Sequence, residues 1–247
     1  MSRAPVDGEA GGGAGGGAGG PAPLAAPLAT SLVELKAAAK FYGPRLVFKD
    51  VSFAVRPGEI WIVAGENGAG KSTLLRVAAG LSRADAGGVS HGTGPGGIGL
   101  LGHETFVYPH LSALENLRFW AKLHERRAAP EDIAAVLARV GLSAAAEERA
   151  GRFSRGMAQR LALARVLLLA PELLLLDEPG TGLDARSRAM LEREIAAARE
   201  RGAGLLWVSH HLGHDLALAD KVLFLKRGRA AYCGDASGFA AAEEGLC

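Results

Sequence analysis

One eight-residue run, Gly65-Glu66-Asn67-Gly68-Ala69-Gly70-Lys71-Ser72, constrains this chain more than any other stretch. It follows EIWIVAG, a short apolar run that reads as a buried strand. It precedes STLLRVAAGL, which reads as a helix closed by Gly80. The run fits the pattern GxxxxGK[ST] in full, in the strand–loop–helix setting that the pattern requires. Glycines there let successive N–H groups turn inward around phosphate oxygens, and the helix N-terminus adds partial positive charge. Gly65, Glu66, Asn67, Gly68, Ala69, Gly70 and Thr73 are thus candidate phosphate-cradle residues. Lys71 is placed to reach the β- and γ-phosphates of a nucleotide, and Ser72 to ligate Mg²⁺.

A second motif lies about a hundred residues on. Leu173–Leu176 is a wholly apolar run ending in Asp177 and Glu178, the mark of a parallel strand buried on both faces. Such a strand delivers Asp177 to the carboxyl edge of the sheet, where open α/β sheets bind ligands. Asp177 is then the candidate metal-holding acid. Glu178 projects differently and suits a base or water-orienting group.

The rest of the chain fits this frame. Strand patterns at VELKAAAKF, LVFKDVSFAV and LLWVS, and a hairpin in VLFLKRGRAAYC turning at Arg227-Gly228, alternate with helical ones. Ser112 and Glu115 form a capping box before Leu114, Leu117 and Trp120, Pro130 opens another helix, and a third runs from about Gly156 to Leu169. Residues 84–99 are Gly-rich and predict loops with at most short strands. Nine Gly fall within residues 1–20, and residues 1–31 read as a disordered Gly/Ala-rich tail ahead of a domain at 32–247. That tail has no apolar core of the kind a secretory signal needs. The most apolar stretch, LALARVLLLAPELLLLDEP, is interrupted by Arg165, Pro171 and Glu172, so no membrane span is predicted. With a net charge of +2, bulk basicity does not point to nucleic acid, and no nucleic-acid partner is expected. The two cysteines give no disulfide framework and suggest a reducing compartment.

Between the two phosphate-related motifs, Phe153-Ser154-Arg155-Gly156-Met157 opens a helix with Ser154 as N-cap. This ordered set resembles the ATP-binding-cassette (ABC) ATPases across nearly all of residues 32–235. The resemblance implies an α/β fold: a P-loop NTPase core with a mostly parallel sheet, an antiparallel β subdomain and an inserted helical subdomain near 103–165. It implies ATP and Mg²⁺ as substrate and cofactor. It also implies a head-to-tail dimer with a second ABC subunit, in which Ser154 and Gly156 of one chain touch the γ-phosphate bound by the other. Tyr42 matches the adenine-stacking aromatic, with Phe41 as the alternative. Asp184, in GTGLD, matches the loop that crosses the dimer. His210, in WVSHH, matches the switch histidine that orients water. Together with Glu178 and Lys71 it makes up the implied catalytic set.

Two departures stand out. His103 occupies the position where the family has a metal-contacting Gln, and the signature reads FSRGM rather than LSGGQ. Arg155 either adds a contact to nucleotide or partner, or projects into solvent. LLGH, LSALENLRFWAKL and FSRGMAQRLALAR further resemble the ATP-binding subunit of the haem exporter used in cytochrome c maturation. That resemblance implies export through an integral membrane partner docked near Phe106–Pro109, at the cytoplasmic face of the membrane. The alternatives are an ABC subunit exporting a drug or lipid, a non-transport ABC ATPase acting on DNA or ribosomes, and a small-molecule P-loop kinase. A kinase has no need of Ser154–Gly156 or His210.

Overall fold

The computed structural model describes residues 31–94, 96–125, 128–209 and 212–239. Along the chain lie β1 (Val33–Tyr42), β2 (Arg45–Val55), β3 (Ile60–Gly65), α1 (Lys71–Ala78), β4 (Ala86–His91) and β5 (Ile98–Leu101). Then come α2 (Ala113–Leu123), α3 (Pro130–Arg139), α4 (Arg155–Leu168), β6 (Leu173–Asp177) and α5 (Ala185–Glu200). The described chain closes with β7 (Gly204–Val208), α6 (Leu212–Asp215), β8 (Lys221–Lys226) and β9 (Arg229–Asp235). The main sheet has the order β5-β6-β7-β3-β8-β9; all its pairs are parallel except β8–β9. The second sheet, β2-β1-β4, is antiparallel. The expected α/β architecture, with a mostly parallel sheet and an antiparallel β unit, is the one observed.

The period-2 alternation of strand side chains splits the core in two. Ile60, Ile62 and Ala64 of β3, Leu174 and Leu176 of β6, and Leu205 and Trp207 of β7 face one apolar cluster with α2–α5. Trp61, Val63, Leu173, Leu175, Leu206 and Val208 face the other, against α1 and the antiparallel sheet. This is why those strands read as unbroken apolar runs: both faces are covered.

α2, α3 and α4 all lie between β5 and β6 in the chain, and α4 packs against both α2 and α3. The Ser112 hydroxyl accepts from the Glu115 N–H at 3.1 Å while Glu115 accepts from the Ser112 N–H at 2.7 Å, the predicted capping box. Pro130 opens α3, and the Ser154 hydroxyl caps α4 by accepting from the Met157 N–H at 3.2 Å. Among the described residues no helix is long and apolar enough to cross a membrane.

An ion pair between Arg139 and the buried Glu194 ties α3 to α5. Arg139→Ala would leave that carboxylate buried without its partner. We expect a loss of about 2 kcal/mol, below the usual cost for a fully buried pair because Arg139 is partly solvated. Urea denaturation is the measurement; Arg139→Lys should lose less.

The Gly-rich segment 84–99 carries more order than its composition predicts. β4 pairs with β1 in the register Val33↔His91 and Leu35↔Val89, although most of its side chains are exposed. Backbone pairing to an existing strand needs no apolar alternation, so the sequence carries little sign of it.

Candidate nucleotide site

β3 and α1 hold the glycine-rich loop in the predicted strand–loop–helix arrangement. Gly65 has φ +141°, and a Cβ there would fall 2.3 Å from the Leu225 carbonyl oxygen of β8. Gly70 has φ +99°, and its Cβ would meet Val47 at 2.9 Å. Both positions therefore require glycine. α1 begins at Gly70 with no side-chain cap and no acidic residue in its first turn. Its leading N–H groups are left for an external anion.

The Lys71 ammonium is buried and donates to the carbonyls of Gly65 at 2.7 Å and Glu66 at 3.0 Å. Burial pulls its pKa down, while Glu178 and Asp177 oppose that shift. The Ser72 hydroxyl donates to Asp177 Oδ1 at 3.1 Å, so two elements a hundred residues apart converge. Burial pushes the Asp177 carboxyl up, the Ser72 bond draws it down, Glu178 raises it again, and His103 and Arg76 lower it. His103 is exposed, two residues beyond the end of β5. A hydroxyl and a carboxylate side by side form a hard oxygen donor pair of the kind Mg²⁺ takes, and the residues present fit that ion.

Glu178 follows Asp177 with a left-handed backbone, φ +53°. That turn breaks strand alternation, so Glu178 does not simply point away from Asp177. Its N–H donates to the Val208 carbonyl at 3.1 Å, and its Oε2 accepts from the Thr181 hydroxyl at 3.3 Å.

A cavity of about 300 Å³ is lined by Tyr42, Asn67, Gly68, Gly70, Lys71, Ser72, Thr73 and Glu178, so it gathers much of the predicted set. Arg45 and Val47 of β2 line it as well, and sequence reasoning missed both. The pairing Tyr42↔Arg45 across the β1–β2 turn was their only signal. Tyr42 is 52% exposed, with Lys40 Nζ 5.7 Å from its ring centroid, while Phe41 at 38% lies outside the cavity lining.

Other predicted residues stand apart from this cavity. Ser154 and Gly156 open α4, and Asp184 caps α5 by accepting from the Ser187 N–H at 2.7 Å. That backbone bond is the main reason the Asp184 carboxyl sits below its usual range. Asp184 also lines a separate cavity of about 370 Å³ with Arg139, Arg160 and Arg186. Arg155 is exposed and lies over Gly182, whose Cβ would be 3.7 Å from Arg155 Nε. His210 and residues 1–30 fall outside the described residues. The buried Ser209 hydroxyl, just before His210, donates to the buried Asp215.

A phosphate cradle, an uncapped helix start and a hydroxyl–carboxylate pair on a parallel sheet define a nucleotide-phosphate site. The comparisons agree. The ABC transporter family model matches residues 48–181. The chain is 32% identical over 208 residues to the linearmycin resistance ATP-binding protein LnrL of Bacillus subtilis (80% of this chain, 67% of that protein). It is 40% identical over 203 residues to the aliphatic sulfonates import ATP-binding protein SsuB 2 of Burkholderia lata (79% and 73%). It is 33% identical over 213 residues to the maltose/maltodextrin import ATP-binding protein MalK of Escherichia coli K12, covering 82% of this chain and 57% of that protein. A solved structure titled as the ATP binding subunit of an ABC transporter superposes with a TM-score of 0.79 at 28% identity, over 87% of this chain and 94% of that one. The chain belongs to the ABC transporter family, as an ATP-binding subunit. It is an ATPase whose turnover is coupled to transport, and it uses ATP with Mg²⁺.

Proposed function

We propose that this chain pairs with a second ABC subunit around two ATP molecules and drives an integral membrane partner from the cytoplasmic face. The observation that carries this reading is the division of the predicted residues into two separate surfaces. Asn67, Gly68, Gly70, Lys71, Ser72, Thr73 and Glu178 line one cavity, with Asp177 joined to it through the Ser72 hydroxyl, while Ser154, Gly156 and Asp184 are not part of its lining. A head-to-tail partner brings the second surface onto the first, so the γ-phosphate is bound from both chains.

Within the cavity Lys71 gives up the Gly65 and Glu66 carbonyls for the β- and γ-phosphates, and the free N–H groups of α1 hold the same oxygens. Ser72 and Asp177 would hold Mg²⁺, with His103 as a further candidate ligand, and the ion would supply charge neutralisation at the phosphates. Tyr42 offers its exposed ring to the adenine base. Glu178 orients the attacking water and takes its proton, with His210 as the second water-positioning group.

The docking surface is the segment Phe106–Pro109. Phe106 is 54% exposed and Tyr108 42%, so neither serves as core. The Tyr108 ring lies 4.7 Å from that of the exposed Phe119 of α2. Exposed aromatics of this kind anchor protein interfaces. Mild-detergent extraction of native membranes should recover the chain with an integral protein. Replacing Phe106 and Tyr108 together by Ala should weaken that association at least about 30-fold, with the chain still folded by circular dichroism. Recovery of a wholly soluble pool would overturn the reading.

Export of haem rests on the LLGH, LSALENLRFWAKL and FSRGMAQRLALAR stretches alone. The relatives are named for linearmycin resistance, aliphatic sulfonates import and maltose/maltodextrin import, so their names point to no single cargo and none mentions haem. Identification of the co-purified integral protein decides the cargo.

A further inference from the structure

Arg165, near the end of α4, is a charged side chain only 7% exposed, and no carboxylate among the described residues pairs with it. Its guanidinium lies 4.4 Å from the ring centroid of Trp120 and 5.6 Å from that of Phe106. Its Nη2 donates to the Leu100 carbonyl at 3.4 Å. These contacts join four separate pieces of the molecule: β5, the loop after it, α2 and α4. A planar guanidinium stacks on rings and donates in its plane at once, which an ammonium cannot do.

Both ends of this junction matter. On one side, Leu100 lies in register with Leu175 of β6, two residues before Asp177, and β5 leads directly to His103. On the other, Phe106 is itself part of the exposed patch and Trp120 supports the rest of it, with the Tyr108 and Phe119 rings 4.7 Å apart and Phe119 packed edgewise on Trp120 at 6.1 Å. α4 itself begins at the Ser154 cap. Arg165 Nε and Trp120 Nε1 are also both buried without an acceptor. Buried donors are nearly always satisfied in a settled core. The junction therefore holds two donors that its present protein neighbours do not use. Phe106, with its left-handed φ of +49°, is the member whose backbone is held in an uncommon conformation.

We propose that Arg165 is a positioning residue that couples the nucleotide site to the aromatic patch. Movement of the β5 and β6 ends when ATP binds beside Asp177 is passed through the guanidinium to Trp120 and Phe106. This deepens the docking reading of Phe106–Pro109 and rests on it. A plug that merely fills space under the patch would not transmit a change of state.

The test uses the full chain with its three tryptophans replaced biosynthetically by 5-fluorotryptophan and observed by ¹⁹F NMR. Trp120→Phe assigns the Trp120 resonance. A saturating non-hydrolysable ATP analogue with Mg²⁺ should shift that resonance in the wild type. In Arg165→Lys the shift should be lost, while the analogue's Kd stays at the wild-type value. No shift in the wild type, or an equal shift in Arg165→Lys, overturns the proposal. Should Arg165→Lys fail to fold, Phe106→Leu, at an exposed ring, must reduce the shift, and an undiminished shift overturns the proposal equally. Failure of the docking reading shows itself elsewhere: the ¹⁹F shift persists but no integral protein co-purifies.

Discussion

Glu178→Gln should bind ATP normally, hydrolyse it about 10²- to 10⁴-fold more slowly, and accumulate as a dimer. The substitution is nearly isosteric. A Gln carbonyl can still accept from the Thr181 hydroxyl, and the backbone bond from the Glu178 N–H to Val208 does not involve the side chain. What the amide loses is the ability to take a proton from water. Lys71, Ser72 and Asp177 are untouched, so binding is spared. The shared γ-phosphate would then outlast the encounter that normally breaks it, and light scattering on the ATP–Mg²⁺ complex should report twice the monomer mass. Turnover at the wild-type rate would remove Glu178 from the base role. A variant that stays monomeric with saturating ATP would sink the two-surface reading.

Lys71→Ala should weaken ATP binding by about 10- to 150-fold, the worth of hydrogen bonds to a charged group. The structure adds a control that separates this effect from damage to the fold. The ammonium is buried against two backbone carbonyls, and burial is the largest influence on it, disfavouring its charge. Removing it takes away a desolvated cation and costs the ligand-free chain little stability. Isothermal titration should therefore lose affinity while the ligand-free melting temperature holds. Unchanged affinity would contradict the phosphate role.

The parts of this molecule visible in the sequence are those in which local chemistry and global position coincide. GENGAGKS is legible because only glycine tolerates the approach to Leu225 at position 65 and to Val47 at position 70. LLLLDE is legible because a strand covered on both faces must be apolar until it reaches the edge. β4 was harder to see, since a strand that hydrogen-bonds to β1 with exposed side chains leaves no pattern. Arg45 and Val47 were missed because they reach the nucleotide cavity from another sheet, and only tertiary packing brings β2 there. In the sequence Arg165 shows only as an interruption of an apolar run. Its actual surroundings, two aromatic rings and a carbonyl from three other segments, have no local signature.

The left-handed backbone at Glu178 has one more consequence. Glycine and asparagine adopt that conformation at lower cost than glutamate. The carboxylate proposed as the base thus occupies the position where a different residue would make the resting protein sturdier. A lineage selected for thermal endurance alone, blind to turnover, would tend to surrender its engine there first and keep an inert but hardy shell.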